Sequence, residues 1–238
     1  MPSTDGPRRP CRWSYLGNQA YDRIDRLQQH LRQEVRERHP AGFLLLLEHP
    51  HVITLGRNAG RVDVLADSDW LAHHRVPVVE TDRGGKVTYH GPGQLIGYPI
   101  VDLSPDRRDL RRYVRDLQRV LVAVLQDFGV FGEARSASHE IGVWVDGRKI
   151  ASLGVHVSRW ITTHGFALNV STDLSYFAAI VPCGLAGVQM TSIESCTGRA
   201  PTLARVASRC AVHFGEVFDR RMTHLAAARI LERWPIAS

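Results

Sequence analysis

The chain has no stretch of about 18 consecutive apolar residues, so nothing in it reads as a membrane-spanning helix. The apolar run Phe43 to Leu47 has the length of a buried strand. No apolar signal core follows the N-terminus, which predicts a cytoplasmic protein. Cysteines number four, at positions 11, 183, 196 and 210. None forms a C-x-x-C pair and their spacing fits no zinc template, so free thiols in a reducing compartment are expected, with no metal. There is no Walker loop and no dinucleotide fingerprint, hence no sign of a bound nucleotide or other cofactor. Internal repeats and linkers are missing too, which argues against a divided chain.

What is present suits an ordinary globular protein. Of 238 residues, 44% are apolar and 23% charged, enough to bury a core without staples. The net charge of +6 favours an acidic partner. Without a nucleic-acid motif or an aromatic-interleaved basic tract, an acidic protein fits better than nucleic acid or a membrane surface.

Residues 1–12, rich in Pro and polar groups, predict a disordered tail, leaving one domain over 13–238. Asn18 is a candidate cap for a helix carrying Tyr21, Ile24, Leu27, Leu31 and Val35. Strands are expected at Phe43–Leu47, Val52–Leu55, Val76–Val79, Ile141–Val145 and Ile161–Val170. Asp146-Gly147 reads as the turn of a hairpin whose second strand starts at Arg148. A helix is expected over 106–128, with Leu110, Val114, Leu117, Val120, Leu121, Val124 and Phe128 on one side. Arg108, Arg112, Arg115 and Arg119 fall on the other, either as a solvated face or as a docking face for an acidic carrier protein. Two further helices are expected at about 202–218 and 223–233. Strands and helices mix without regular alternation, so the fold class is α/β or α+β, a mixed sheet flanked by helices.

Four segments carry groups with chemical potential. Arg83-Gly84-Gly85-Lys86-Val87-Thr88-Tyr89-His90 runs into Gly91-Pro92-Gly93-Gln94, and glycine lets a backbone approach a ligand closely. The plain alternative is a Gly-rich hairpin with no ligand. Lys149 opens the small, apolar strand that continues through Ser152, Leu153 and Gly154. Beside apolar neighbours its amine can be desolvated into a proton acceptor, or it can sit exposed at a strand end. Cys183, between Pro182 and Gly184, lies in a tight loop that could expose its sulfur; a thiol of ordinary pKa needs an activator. His164 heads the segment His164-Gly165-Phe166-Ala167-Leu168-Asn169. It rivals Lys149 as the partner of Cys183, as does His90. A buried structural cysteine is the bland reading of Cys183, and Cys196 and Cys210 fit it better.

Taken together, RGGKVTYHGPGQLIGYPI (83–100), GVWVDGRKIASLGVHVSR (142–159), THGFALNV (163–170) and IVPCG (180–184), with LLLLEHP (44–50), resemble the lipoyl(octanoyl) transferase family. The order and spacing hold from about Phe43 to Ser192. The resemblance implies a fold like the biotin and lipoate protein ligase catalytic domain. It implies a cysteine–lysine dyad, which falls on Cys183 and Lys149. It implies that residues 83–90, 152–154 and 165–167 line an acyl pocket, with Ser152 standing where alanine is common. The expected reaction moves octanoyl from octanoyl-acyl carrier protein to a lysine of lipoyl domains through a Cys183 thioester. Acceptors would be the 2-oxoacid dehydrogenase E2 subunits and the glycine cleavage H protein. A monomer without cofactor, nucleic acid or membrane is expected. The rivals are an ATP-dependent lipoate or biotin protein ligase, a Cys–His thioester hydrolase, and a non-catalytic acyl-binding module.

Overall fold

The computed structural model describes residues 8–38, 42–104, 106–137, 140–181 and 187–233. The run Phe43–Leu47 forms strand β2 (Gly42–Glu48), and its consecutive apolar residues follow from a strand covered on both faces. Leu44 and Leu46 join a core with helices α3 (Leu110–Asp127) and α5 (Leu203–Phe218). Phe43, Leu45 and Leu47 point the other way, to α1 (Tyr21–Arg38) and α6 (Ala227–Arg233).

Around β2 stand β1 (Arg9–Asn18), β6 (Gln94–Ile100), β7 (Glu133–Arg135), β8 (Gly142–Val145), β9 (Arg148–Ser158), β10 (Ile161–Asn169) and β11 (Arg220–His224). They form one eight-stranded sheet in the order β11-β1-β2-β6-β10-β9-β8-β7. β1 runs parallel to β2 and β11, and the remaining neighbours are antiparallel. A second sheet of β3 (Val52–Leu55), β4 (Val78–Glu80) and β5 (Val87–His90) has its own small core. The short helices α2 (Ser68–His73) and α4 (Ile193–Thr197) complete the set, together with 3-10 turns at Arg61–Asp63 and Leu174–Ala179.

Several expectations need correcting. Arg9 to Arg12, expected in a disordered tail, belong to β1, where Cys11 is fully buried and pairs with Gly42 and Met222. Residues 1–7 of that tail lie outside the described residues. Asn18 ends β1 and does not cap α1. The helix expected from 223 starts at Ala227, because 220–224 closes the open edge of β1 as a strand. α3 begins at Leu110 rather than near 106; Asp109 caps it by accepting from the Arg112 backbone N–H. The Asp146-Gly147 hairpin forms with φ of 48° and 73°, the signature of a type I′ turn.

The residues ahead of that cap serve an ionic lock instead. Arg107 is buried and donates to Asp116 on α3 (2.8 Å) and to the carbonyls of Val217 (3.0 Å) and Phe218 (3.3 Å) at the end of α5. Asp116→Ala would leave this buried guanidinium with only the more exposed Asp106 carboxylate (3.3 Å), at a cost of about 3 kcal/mol. Urea denaturation should show that loss, and the apolar pair Arg107→Met with Asp116→Leu should recover most of it.

Candidate active site

Pairing of β9 with the antiparallel β8 ends where Ser152 faces Gly142, so from Leu153 onward its sheet neighbour is β10 alone. The segment Arg83–Lys86 folds over that open edge, with the Gly84 N–H donating to the Val155 carbonyl (2.9 Å). Gly85 takes φ +90°, a conformation costly for other residues. Gly154 permits the close approach: a Cβ there would lie 3.0 Å from the Gly84 oxygen and 3.1 Å from Arg83 Cδ. Arg83 braces the crossing. Its guanidinium donates to the carbonyl (2.7 Å) and the hydroxyl (2.8 Å) of Thr54.

Beneath this crossing lies a cavity of about 540 Å³. Gly84, Gly85, Lys86, Val87, Thr88 and His90 line it together with Arg83. So do Ser152, Leu153 and Gly154 of β9, and Gly165, Phe166 and Ala167 of β10. Tyr89 does not: its hydroxyl is 2.8 Å from His51 Nδ1, and its ring stacks on Tyr176 in the smaller sheet's core. Tyr21, Tyr98, Leu110, Val114 and Ile141 also line the cavity. Tyr98 belongs to the quoted segment 83–100; Tyr21, Leu110, Val114 and Ile141 come from outside the quoted segments.

Lys149 lines the same cavity while being only 1% exposed. Gly142 across the hairpin leaves room for it: a Cβ there would meet Lys149 Cε at 2.5 Å. The Trp144 ring centroid lies 5.5 Å from Nζ, within reach of a cation–π attraction. The Lys149 backbone is engaged on its other edge. Its N–H donates to the Gln189 carbonyl and its carbonyl accepts from the Thr191 N–H, both at 2.9 Å. Upstream, the Val181 N–H donates to the Asp63 carbonyl (2.9 Å). Cys183, with Pro182 and Gly184 beside it, falls outside the described residues, between these two anchored limbs.

A buried amide chain ties the limb after Cys183 to the cavity floor. His90 Nδ1 is 2.8 Å from Gln94 Oε1, Gln94 Nε2 donates to Asn169 Oδ1 (2.9 Å), and Asn169 Nδ2 donates to the Thr191 carbonyl (3.0 Å). Burial pushes the His90 imidazole down to about 3 and the neighbouring His49, held by Tyr98 and the Gln19 carbonyl, down to about 4. Both histidines are therefore neutral at physiological pH.

His164, the rival partner for a cysteine, lines the same cavity at its far end. Its Nε2 is 2.6 Å from Asp82, and this hydrogen bond holds the Asp82 carboxyl down at about 2. His164 pairs with Val155, six residues along β9 from Lys149, which is about 20 Å of strand. Lys149 and His164 thus mark opposite ends of the lined stretch. Among the described residues no group of three or more His, Cys, Asp or Glu could hold a metal ion.

Two outcomes follow from this site. Because His49 and His90 resist protonation when folded, the unfolded chain takes up protons first as pH falls below about 6.5. Stability should be complete above that value and decline toward pH 4, by up to about 1.4 kcal/mol per pH unit for each histidine. Urea midpoints between about pH 7.5 and about pH 4.5 measure the slope, and His49→Gln should flatten it. Asn169→Leu removes the donor to the Thr191 carbonyl and the acceptor of one Gln94 N–H. It should cost about 2 kcal/mol in urea denaturation. The exposed Arg229→Ala, made as a surface control, should change little.

The comparisons with known proteins agree with this architecture. The profile of the lipoyl protein ligase A/B catalytic domain matches residues 23–215. An octanoyltransferase of Solibacter usitatus is 48% identical over 223 residues, covering 92% of this chain and all of that protein. Among solved structures, the bipartite lipoate protein ligase of Thermoplasma acidophilum, described with its E2 lipoyl domain, superposes with a TM-score of 0.74 at 14% identity. The match covers 94% of this chain and 91% of that one. A lipoate-protein ligase A bound with ATP gives a TM-score of 0.76 at 13% identity, covering 94% and 93%. At those identities the structures speak for the fold, and the sequence relatives for the family. The chain belongs to the lipoyl protein ligase A/B catalytic domain family and, within it, to the octanoyltransferases.

Proposed function

We propose that the protein transfers an octanoyl group from octanoyl-acyl carrier protein to a lysine of lipoyl domains, with Cys183 as the acyl carrier in between and Lys149 as its proton partner. Lipoyl domains of 2-oxoacid dehydrogenase E2 subunits and the glycine cleavage H protein are the acceptors. The observation that carries this reading is the buried Lys149 on the cavity wall, its backbone bonded to the limb that follows Cys183. The limb pairs with Lys149 and not with His164, which favours the lysine over the histidine as partner.

The chemistry balances without a nucleotide. Lys149 takes the thiol proton; the Cys183 sulfur attacks the thioester carbon, and the pantetheine sulfur leaves with that proton. An octanoyl thioester on Cys183 remains. The acceptor amine, having lost its proton, attacks the same carbon, an amide forms, and the Cys183 sulfur leaves and is reprotonated. Amide formation from a thioester is downhill. A cavity of about 540 Å³ is in the range of small-ligand sites, and Leu153, Phe166 and Ala167 offer apolar wall to a saturated chain. The ligase reading has the shared fold in its favour, and ATP dependence separates the two.

Intact-mass analysis after incubation with octanoyl-carrier protein, without ATP, should show one octanoyl adduct. Cys183→Ala should abolish the adduct, and Lys149→Ala should slow its formation by at least about 100-fold, the usual scale of a general base. Activity that requires ATP and survives Cys183→Ala would establish the ligase instead.

A further inference from the structure

The wall that closes the cavity beside β9 belongs in part to α3. Leu110 and Val114 in its first turns line the cavity, and Leu110 is 46% exposed. On the other side of the same helix, Arg108 just ahead of it and Arg111, Arg112, Arg115 and Arg119 along it are all exposed. At 100° per residue they share one continuous face. Two carboxylates, Asp109 and Asp116, offset this face only in part, against five guanidinium groups. Asp116 is buried and shared among Arg107, Arg112 and Arg119. Asp109 is occupied as the helix cap. Among the described residues, Arg108, Arg111 and Arg115 have no carboxylate within 4.0 Å.

We infer that this arginine face of α3 is the docking surface for the acidic carrier protein that delivers the octanoyl group; the inference rests on the function proposed above. Adjacent guanidinium groups repel one another, and an anionic partner relieves that repulsion. The guanidinium fork suits carboxylates and a phosphodiester, the groups an acidic carrier and its prosthetic arm present. Leu110, 46% exposed, lies on the cavity side of the same helix. The position selects the donor over the acceptor. A donor has to pass its whole acyl chain into the cavity that Leu110 and Val114 line, whereas an acceptor has only to bring an amine to the thioester.

The test uses the full chain with two donors, octanoyl-carrier protein and octanoyl-pantetheine, and a lipoyl domain as acceptor. In the variant Arg111→Glu/Arg115→Glu, KM for octanoyl-carrier protein should rise about tenfold or more, with kcat kept. KM for octanoyl-pantetheine and for the lipoyl domain should not move. The wild-type KM for the carrier should rise with salt, and that of the variant should respond less. The milder Arg111→Gln/Arg115→Gln should fall between the two. A rise confined to the lipoyl domain would assign the face to the acceptor and overturn the proposal. Equal losses with both donors, or no change with either, would also overturn it. A wild type inactive with both donors would instead remove the underlying function, and the docking role with it.

Discussion

Holding a lysine inside the protein is the constraint on which the rest of the site depends. Burying an ammonium or amine costs several kcal/mol unless its surroundings compensate. Here the compensation is distributed over separate parts of the chain. Gly142 yields the space, the Trp144 ring offers its negative face, and the Gln189–Thr191 limb covers the strand edge that Lys149 would otherwise leave open. The same backbone bonds that cover Lys149 also fix where the chain returns after Cys183. Solvent exclusion around the lysine and registration of the limb are thus one structural event.

That registration has its own support. Gln94, Asn169 and Thr191 form an unbroken line of buried hydrogen bonds from the cavity floor to the limb. Each amide uses both its oxygen and its nitrogen, so no member can change partner without stranding another. Such closed polar networks specify one arrangement where apolar packing would tolerate several. On the far side of the cavity, Arg83 performs the corresponding task for the Gly-rich crossing by binding both oxygens of Thr54.

Much of this is legible in the sequence, for reasons that differ by element. The strand Phe43–Leu47 and the helix α3 announce themselves through their apolar patterns, because each buries defined faces. The Asp146-Gly147 turn is written in its two residues, which accept positive φ. The Gly-rich segment signals close approach but not what it approaches; that partner, the open edge of β9, exists only because β8 ends early. Strands β1 and β11 escape a local reading at Arg9 and at 220–224 because their stability comes from pairing with each other across the whole length of the chain. Composition and local periodicity carry no record of such pairing. Tyr21, Leu110 and Val114 reach the cavity for the same non-local reason.

The distribution of cationic side chains follows a related logic. Of the 30 Lys and Arg residues only two are lysines, Lys86 and Lys149, and both line the cavity. Everywhere else the positive charge is carried by arginine. A guanidinium stays protonated at any physiological pH, so it is a poor nucleophile, while a lysine amine loses its proton far more readily. For a protein that hands an acyl group to a lysine amine, arginine supplies the charge needed to attract acidic partners without adding amines that compete for the acyl group. The arginine face of α3, beside the cavity, is where that distinction matters most, since a lysine there would stand near the route of the acyl chain.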